Sequence, residues 1–132
     1  MRSIAMLGIL LLAGCASRQV VTLDTPLCPG DKSNKSLTAV RIEIDANAKK
    51  VNPKECYVSA GTEVVWWEAN GKAFEAQFKL KSPARWGKMH FDSKPVGSHH
   101  EASFDAHNEG KFDYDAKAGG VTLAPAIIVD PK

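Results

Sequence analysis

Apolar and polar residues alternate over much of the chain beyond residue 40, and this alternation predicts strands with one buried face. In Val40-Arg41-Ile42-Glu43-Ile44, for example, the aliphatic side chains would share one face. Six further segments have a similar character and are separated by turn-forming residues: 55–58, 62–68, 73–80, 101–105, 111–116 and 125–130. The best helical candidate is a single turn within residues 83–88. Seven short strands within about 90 residues predict an all-β Greek-key sandwich or barrel.

The chain begins with a positive residue and a short apolar run, over residues 4–12, that is too brief to cross a bilayer as a helix. Residues 1–14 are therefore expected to be a cleaved signal peptide. The run ends in Leu12-Ala13-Gly14-Cys15, which resembles the lipobox of bacterial lipoproteins. That resemblance implies lipidation of Cys15 and, because no aspartate follows it, an outer-membrane location facing the periplasm. An ordinary secretory signal with a coincidental cysteine is the alternative.

Composition divides the remaining chain into a tether and one domain. Residues 15–37 are rich in Thr, Pro, Gly, Asp, Asn and Lys, which predicts a linker. Residues 38–132 leave room for a single hydrophobic core. The whole chain carries 17 Lys and Arg against 15 Asp and Glu. This near balance argues against nucleic acid as a partner.

Two cysteines remain once Cys15 is assigned to a lipid anchor. In an oxidising compartment Cys28 and Cys56 are expected to pair with each other. Closing a loop of this length would stabilise the fold by about 3 kcal/mol in the chain-entropy model. The alternative, a reactive or metal-binding thiol pair, lacks a Cys-x-x-Cys spacing.

The order of motifs within residues 40–130 resembles that of the cupredoxins. The front half runs Val51-x-Pro53-x-x-Cys56-x-Val58-x-x-Gly61-Thr62-x-Val64-x-Trp66 and is followed by Asn70-Gly71. The back half has Phe104, then Gly110-x-Phe112-x-Tyr114, and a final apolar run, Ile127-Ile128-Val129. The resemblance implies a cupredoxin-like sandwich.

The resemblance also implies where a type 1 copper site would lie. Such a site uses a thiolate, two imidazoles and usually a weak thioether ligand. The corresponding positions hold Phe74 for the first imidazole, Ala116 for the thiolate, Gly119 for the second imidazole, and Leu123 or Ala124 for the methionine. None of these side chains can bind copper, so type 1 copper and electron transfer through it are not expected. The favoured prediction for the chain is that it has no cofactor, with copper or zinc as the alternative.

The histidines form an alternative metal-binding set, for copper or zinc. His90, His99, His100 and His107 lie close together in sequence, near Met89, and neutral imidazole suits Cu(II) and Zn(II). Their spacing is not diagnostic, because adjacent residues on a strand point to opposite faces. Solvated histidines without a metal are the simpler interpretation.

Tryptophans supply the candidates for partner binding. Trp66 and Trp67 are adjacent on one predicted strand, so one is expected in the core and Trp67 on the outer face. Trp67 is expected to be covered by a neighbouring loop, with a recognition surface as the alternative. Arg85, Trp86 and Lys88 form a basic, aromatic loop with the composition of an interface hot spot. The simpler expectation is that Trp86 packs back onto the barrel.

Catalysis finds no support in the sequence. There is no Gly-x-Ser-x-Gly motif and no glycine-rich phosphate loop, and Asp113 and Asp115 are expected on the solvated side of a strand. The pattern therefore favours a lipid-anchored, non-catalytic module that binds an envelope protein or glycan through Arg85, Trp86, Lys88 and Trp67. Metal binding and a structural role as an accessory subunit of an envelope complex are the alternatives.

Overall fold

A computed structural model describes residues 24–32 and 37–132. The expected signal peptide and Cys15, the expected site of lipidation, lie outside these residues. Within them the secondary structure consists of strands and one short 3-10 turn, Arg85–Gly87. No helix in the described part of the chain has the length and apolar character needed to cross a membrane.

The predicted alternation of buried and more exposed residues is present in the strands at residues 39–45, 74–78 and 110–118, whereas the strand at residues 63–68 is buried throughout. The bounds of the strands are β1 Ala39–Asp45, β2 Lys50–Asn52, β3 Glu55–Ser59, β4 Glu63–Glu68, β5 Phe74–Phe78, β6 His90–Asp92, β7 Lys94–Val96, β8 His99–Asp105, β9 Gly110–Ala118, β10 Val121–Leu123 and β11 Ala126–Asp130.

These strands form two mixed sheets. The first has the order β2-β1-β4-β8-β7, and the second has the order β3-β11-β9-β5-β6, with β10 paired to β9 as a hairpin. β1 pairs with β4 in parallel and β3 with β11 in parallel, whereas the other pairs are antiparallel. The predicted all-β sandwich is confirmed.

Four of the strands were not predicted. β2, β6, β7 and β10 are three residues long each, which is too short for an alternation of side chains to be recognised. They exist because longer neighbours offer them free backbone groups. The seven predicted segments correspond to the remaining strands, and the predicted helical turn corresponds to the 3-10 turn.

Aromatic side chains from both sheets form the centre of the core. The indole ring of Trp66 lies with its centroid 5.2–6.1 Å from the rings of Phe78, Phe91, Phe104 and Tyr114. Trp66 Nε1–H donates to Tyr114 Oη at 3.0 Å, which satisfies the one polar group of the buried indole. Burial raises the pKa of the Tyr114 phenol, although the Trp66 hydrogen bond acts in the opposite sense. The phenol therefore stays neutral.

Residues 25–29, which composition places in the tether, pack on the domain and are called the N-terminal strap below. The Cys28 N–H donates to the Arg41 carbonyl of β1 at 2.8 Å, and the Tyr57 N–H of β3 donates to the next carbonyl of the strap at 2.9 Å. The predicted disulfide between Cys28 and Cys56 is confirmed, with an S–S distance of 2.04 Å. The strap therefore joins the two sheets.

Candidate functional site

The positions that the resemblance assigns to copper ligands lie at one end of the sandwich. Phe74 and Ala116 are buried in neighbouring strands, and Leu123 lies opposite Ala116 in the β9–β10 hairpin. Gly119 is in the two-residue turn of that hairpin, with φ of 61°. A Cβ atom on Gly119 would overlap the carbonyl oxygen of Ala46. No side chain larger than hydrogen fits there without a backbone shift.

The sulfur atoms of the described residues already have structural roles. Cys28 and Cys56 form the disulfide, so the described part of the chain holds no free thiol. Met89 is partly buried and packs against the core. A soft thiolate donor of the kind that type 1 copper needs is therefore missing from these residues.

Glu68 closes this same end of the sandwich. Its side chain is fully buried, yet both carboxylate oxygens are saturated. Oε2 accepts from the Ala46 N–H at 3.0 Å and from Asn70 Nδ2 at 2.9 Å, and Oε1 accepts from the N–H groups of Asn70 and Lys72 at 2.9 and 2.8 Å. Burial raises the pKa of Glu68, but these hydrogen bonds outweigh it and hold the pKa below its usual value.

The role of Glu68 was missed in the sequence. The signal was present, because residues 66 and 68 of a strand lie on the same face and Trp66 was expected in the core. A carboxylate on that buried face needs internal donors. The Asn70-Gly71 turn, which follows directly, provides some of them.

The histidines of the alternative metal-binding set are separated from one another. His99 stacks on Trp67, with ring centroids 3.6 Å apart and planes 7° apart, and its Nε2 lies 2.8 Å from Glu101 Oε1. His100 is on the opposite face of β8, with Nδ1 3.0 Å from Ser93 Oγ. His107 is exposed beyond the other end of that strand.

Trp67 is therefore not part of an open surface. It is only 7% exposed, and the cover comes from His99 on the neighbouring strand rather than from a loop. The antiparallel register pairs Trp67 with Glu101, which places His99 on the same face. The outward direction predicted for Trp67 is what brings it under this imidazole.

A different triad forms around the remaining histidine. Among the described residues, Glu75, His90 and Asp92 are the one group of three potential metal ligands with donor atoms within 4.8 Å of one another. His90 Nε2 lies 3.0 Å from Asp92 Oδ1 and 3.6 Å from Glu75 Oε1. The two carboxylates were not predicted, although residues 90 and 92 have the spacing that places side chains on one face of a strand.

Trp86 is the main exception to the sequence prediction. The expectation that it packs back onto the barrel is wrong, because its side chain is 88% exposed. Its φ of 70° places a non-glycine residue in the left-handed region, which turns the indole away from the body. The loop buries residues 82–84 instead, and Ala84 is only 3% exposed. The Arg85 guanidinium lies 5.3 Å from the centroid of the Trp86 ring.

Hydrogen bonds hold the base of this loop. Ser82 Oγ accepts from the Ala84 N–H at 3.0 Å and donates to the Lys88 carbonyl at 2.5 Å, which closes the loop on itself. Asn108 Nδ2 donates to the carbonyl groups of Ser82 and Ala84 at 3.0 and 3.3 Å. The His107 N–H donates to the carbonyl of Pro83 at 2.8 Å. These hydrogen bonds therefore fix the base of the loop that exposes Trp86.

Residues 79–89, called the β5–β6 connection below, expose a second large apolar side chain. Leu80 is 94% exposed and lines a groove of about 310 Å³ together with Lys79, Lys81, Lys111, Phe112 and Asp113. Lys88 Nζ lies 5.0 Å from the centroid of the Phe91 ring. The connection thus combines exposed apolar area with several positive charges.

No family model matches the chain, and no curated protein matches it. Solved structures do match. A copper-containing nitrite reductase from Thermus scotoductus SA-01 is 15% identical, with a TM-score of 0.52 and coverage of 83% of this chain and 26% of that one. A mutant of amicyanin in the Cu(I) form is 15% identical, with a TM-score of 0.50 and coverage of 81% and 93%. This chain has a cupredoxin-like fold.

A purple cupredoxin from Nitrosopumilus maritimus is also similar to the cupredoxin-like domain, at 17% identity and a TM-score of 0.48, with coverage of 68% of this chain and 98% of that one. The matches with TM-scores of 0.50 and 0.52 confirm the fold that the sequence resemblance implied. At such identities the likeness concerns the fold alone, and a fold does not define a function.

Proposed function

We propose that this protein is a non-catalytic binding module of the bacterial envelope, that its type 1 copper site is absent, and that Arg85, Trp86 and Lys88 carry the binding surface. The observation that supports the binding surface is the exposure of Trp86 on a braced loop. Exposed aromatic and arginine side chains of this kind are typical of interface hot spots.

The residues at the expected ligand positions support the absence of type 1 copper. Ala116 and Phe74 offer no donor atom, and the turn at Gly119 leaves no space for an imidazole. The disulfide leaves no thiolate among the described residues. Electron transfer through a type 1 centre is accordingly not part of the proposal.

The backbone at Trp86 strengthens the case for binding. A left-handed conformation costs a non-glycine residue about 1–2 kcal/mol. The indole is exposed, so the domain gains no burial of apolar surface at Trp86 that would offset this strain. A partner that covers the indole would provide the missing burial, and the braced loop would lose little entropy on binding.

Charge indicates the chemistry of the partner. Lys79, Lys81, Arg85 and Lys88 lie on the same connection as the two exposed apolar side chains. This combination fits an envelope protein that offers an apolar pocket bordered by acidic groups. An anionic glycan is the second possible class of partner, and the experiment below separates the two.

The proposed location rests on the sequence alone. The Leu12-Ala13-Gly14-Cys15 motif supports lipidation at Cys15 and an outer-membrane address facing the periplasm. The N-terminal strap is the first part of the described chain to contact the domain, so residues 15–24 would span the distance to the membrane surface.

The binding surface is tested by crosslinking the full lipidated chain in intact cells. We expect the Arg85→Ala/Trp86→Ala variant to lose about tenfold or more of the crosslinked partner, because both hot-spot groups are removed. The matched control is Lys94→Ala/Val96→Ala, which removes an exposed basic and apolar pair from β7.

The result is read together with stability and with the nature of the product. Thermal unfolding of both variants should match that of the wild type, because the altered side chains are exposed. Sensitivity of the crosslinked product to a protease identifies a protein partner, and sensitivity to a glycosidase identifies a glycan. Equal crosslinking of the wild type and Arg85→Ala/Trp86→Ala would reject this surface.

A further inference from the structure

We propose that Glu75, His90 and Asp92 form a binding site for a first-row divalent cation such as Zn²⁺. The site lies on the outer face of the second sheet, at its β5–β6 edge. The register pairs Glu75 with Asp92 and Gln77 with His90, so that strand alternation places these side chains together. This site is separate from the type 1 copper positions and does not depend on the proposed binding surface.

The distances fit a small tetrahedral ion. With bonds of about 2.0–2.1 Å, the ligand atoms of a tetrahedral zinc site lie about 3.3 Å apart. His90 Nε2 is 3.0 Å from Asp92 Oδ1 and 3.6 Å from Glu75 Oε1, on either side of that value. Small side-chain adjustments bring the three atoms to one ion. Glu75 and His90 are partly exposed and Asp92 is exposed, which leaves a fourth position for water.

Gln77 orients the imidazole for this role. Its Nε2 donates to the carbonyl of Phe78 at 3.1 Å and lies 3.5 Å from the carbonyl of Met89, which fixes the direction of the amide. The amide Oε1 then accepts from His90 Nδ1 at 2.8 Å. With the hydrogen on Nδ1, Nε2 is directed towards the carboxylates. A hydrogen bond of this kind to the non-ligating nitrogen is the usual support of a metal-bound histidine.

The charges of the cluster favour a cation. Glu75 and Asp92 are directly opposite in the register of an antiparallel pair, where like charges destabilise a sheet. A divalent ion between them converts this repulsion into attraction. One imidazole and two carboxylates suit Zn²⁺ or Cu²⁺, whereas Ca²⁺ takes six to eight oxygen ligands.

The test is a calorimetric titration of the full chain with Zn²⁺ at neutral pH. We expect one ion per chain with a dissociation constant below about 100 µM, because a partly exposed site with three side-chain ligands is weaker than a closed structural site. His90→Ala should abolish this binding. Gln77→Ala should weaken it by about tenfold through the loss of imidazole orientation.

Two control variants separate this site from the other candidate ligands. His99→Ala/His100→Ala should bind Zn²⁺ as the wild type does, and so should Asp113→Asn, which removes an exposed carboxylate from the same sheet. Histidine NMR signals provide a second readout, because Zn²⁺ should shift the His90 ring resonances selectively.

The proposal is rejected if the folded wild type shows no Zn²⁺ binding below about 100 µM. It is also rejected if His90→Ala binds as tightly as the wild type. Circular dichroism of His90→Ala excludes misfolding as the cause of lost binding, with His90→Gln as a second variant. The His90 variants should crosslink the partner as the wild type does. This result would show that the cation site and the proposed binding surface act independently.

Discussion

Glu68 connects three segments of the chain through one buried carboxylate. Its hydrogen bonds reach the residue after β1 and the turn after β4, so a single side chain satisfies backbone groups that would otherwise be buried without partners. A neutral amide cannot replace it, because the nitrogen of a glutamine would face N–H donors with a donor of its own. The charge and the geometry are both needed.

Replacing Glu68 by Gln should lower the free energy of unfolding by about 2 kcal/mol at pH 7, since buried donors lose their acceptor. The pKa of Glu68 in the folded protein lies below its ordinary value of 4.5. Its stabilisation is therefore present above pH 4.5 and is lost as the pH falls through the folded pKa. Urea unfolding at pH 7 and pH 3 measures this difference.

The difference between the wild type and Glu68→Gln should narrow at pH 3, because the unfolded chain binds a proton at Glu68 below about pH 4.5 and so becomes more stable relative to the folded state. Glu109→Gln is the matched control, because that carboxylate is exposed. An undiminished gap at acid pH would mean that charge is not the source of the stabilisation.

At the scale of elements, the β9–β10 hairpin explains why this end of the sandwich is closed. Its turn consists of Gly119 and Gly120, both with positive φ, and the first of them lies against the loop that follows β1. A longer loop would be needed to carry several ligand side chains here. The hairpin leaves only two glycines between its strands, and neither glycine has a side chain that could bind a metal ion.

Gly119→Ala and Gly120→Ala separate steric overlap from backbone strain. Both introduce a side chain at positive φ, at a cost of about 1 kcal/mol. Only Gly119→Ala also drives a Cβ into the Ala46 carbonyl, whereas Gly120 has open space around it. We therefore expect the first variant to lose at least about 2 kcal/mol and the second about 1. If urea unfolding gave equal losses of unfolding free energy for the two variants, the loop after β1 would have moved away from the new Cβ atom without cost.

The long strands could be predicted from the sequence because their alternation is local. Partners across the sheets could not be predicted, since register depends on how distant segments pair. The stack of His99 on Trp67 and the grouping of Glu75 with His90 both follow from register. The outward position of Trp86 follows from one backbone angle that no apolar pattern records.

At the scale of the whole molecule, the N-terminal strap and its disulfide join the first sheet to the second. We expect Cys28→Ala/Cys56→Ala to lower the free energy of unfolding by about 3 kcal/mol, mainly because the unfolded chain gains freedom. Urea unfolding of the wild type with a reductant should give the same value as the variant without one.

If reduction leaves the stability of the wild type unchanged, the strap is held by its hydrogen bonds and packing alone. Reduction breaks the bond but keeps both sulfur atoms, whereas the double alanine variant removes them. Any further loss of stability in the variant would then come from the two missing sulfur atoms.

The strand order also determines when the domain can fold. β11 is the last strand in sequence, yet it lies between β3 and β9 in the second sheet. β3 is made much earlier, and within residues 24–32 and 37–132 it pairs with no strand other than β11, so this sheet stays incomplete until β11 is available. Pairings between distant segments form slowly. If the chain is exported as proposed, this delay would leave it unfolded while it crosses the inner membrane, so that the domain folds in the periplasm.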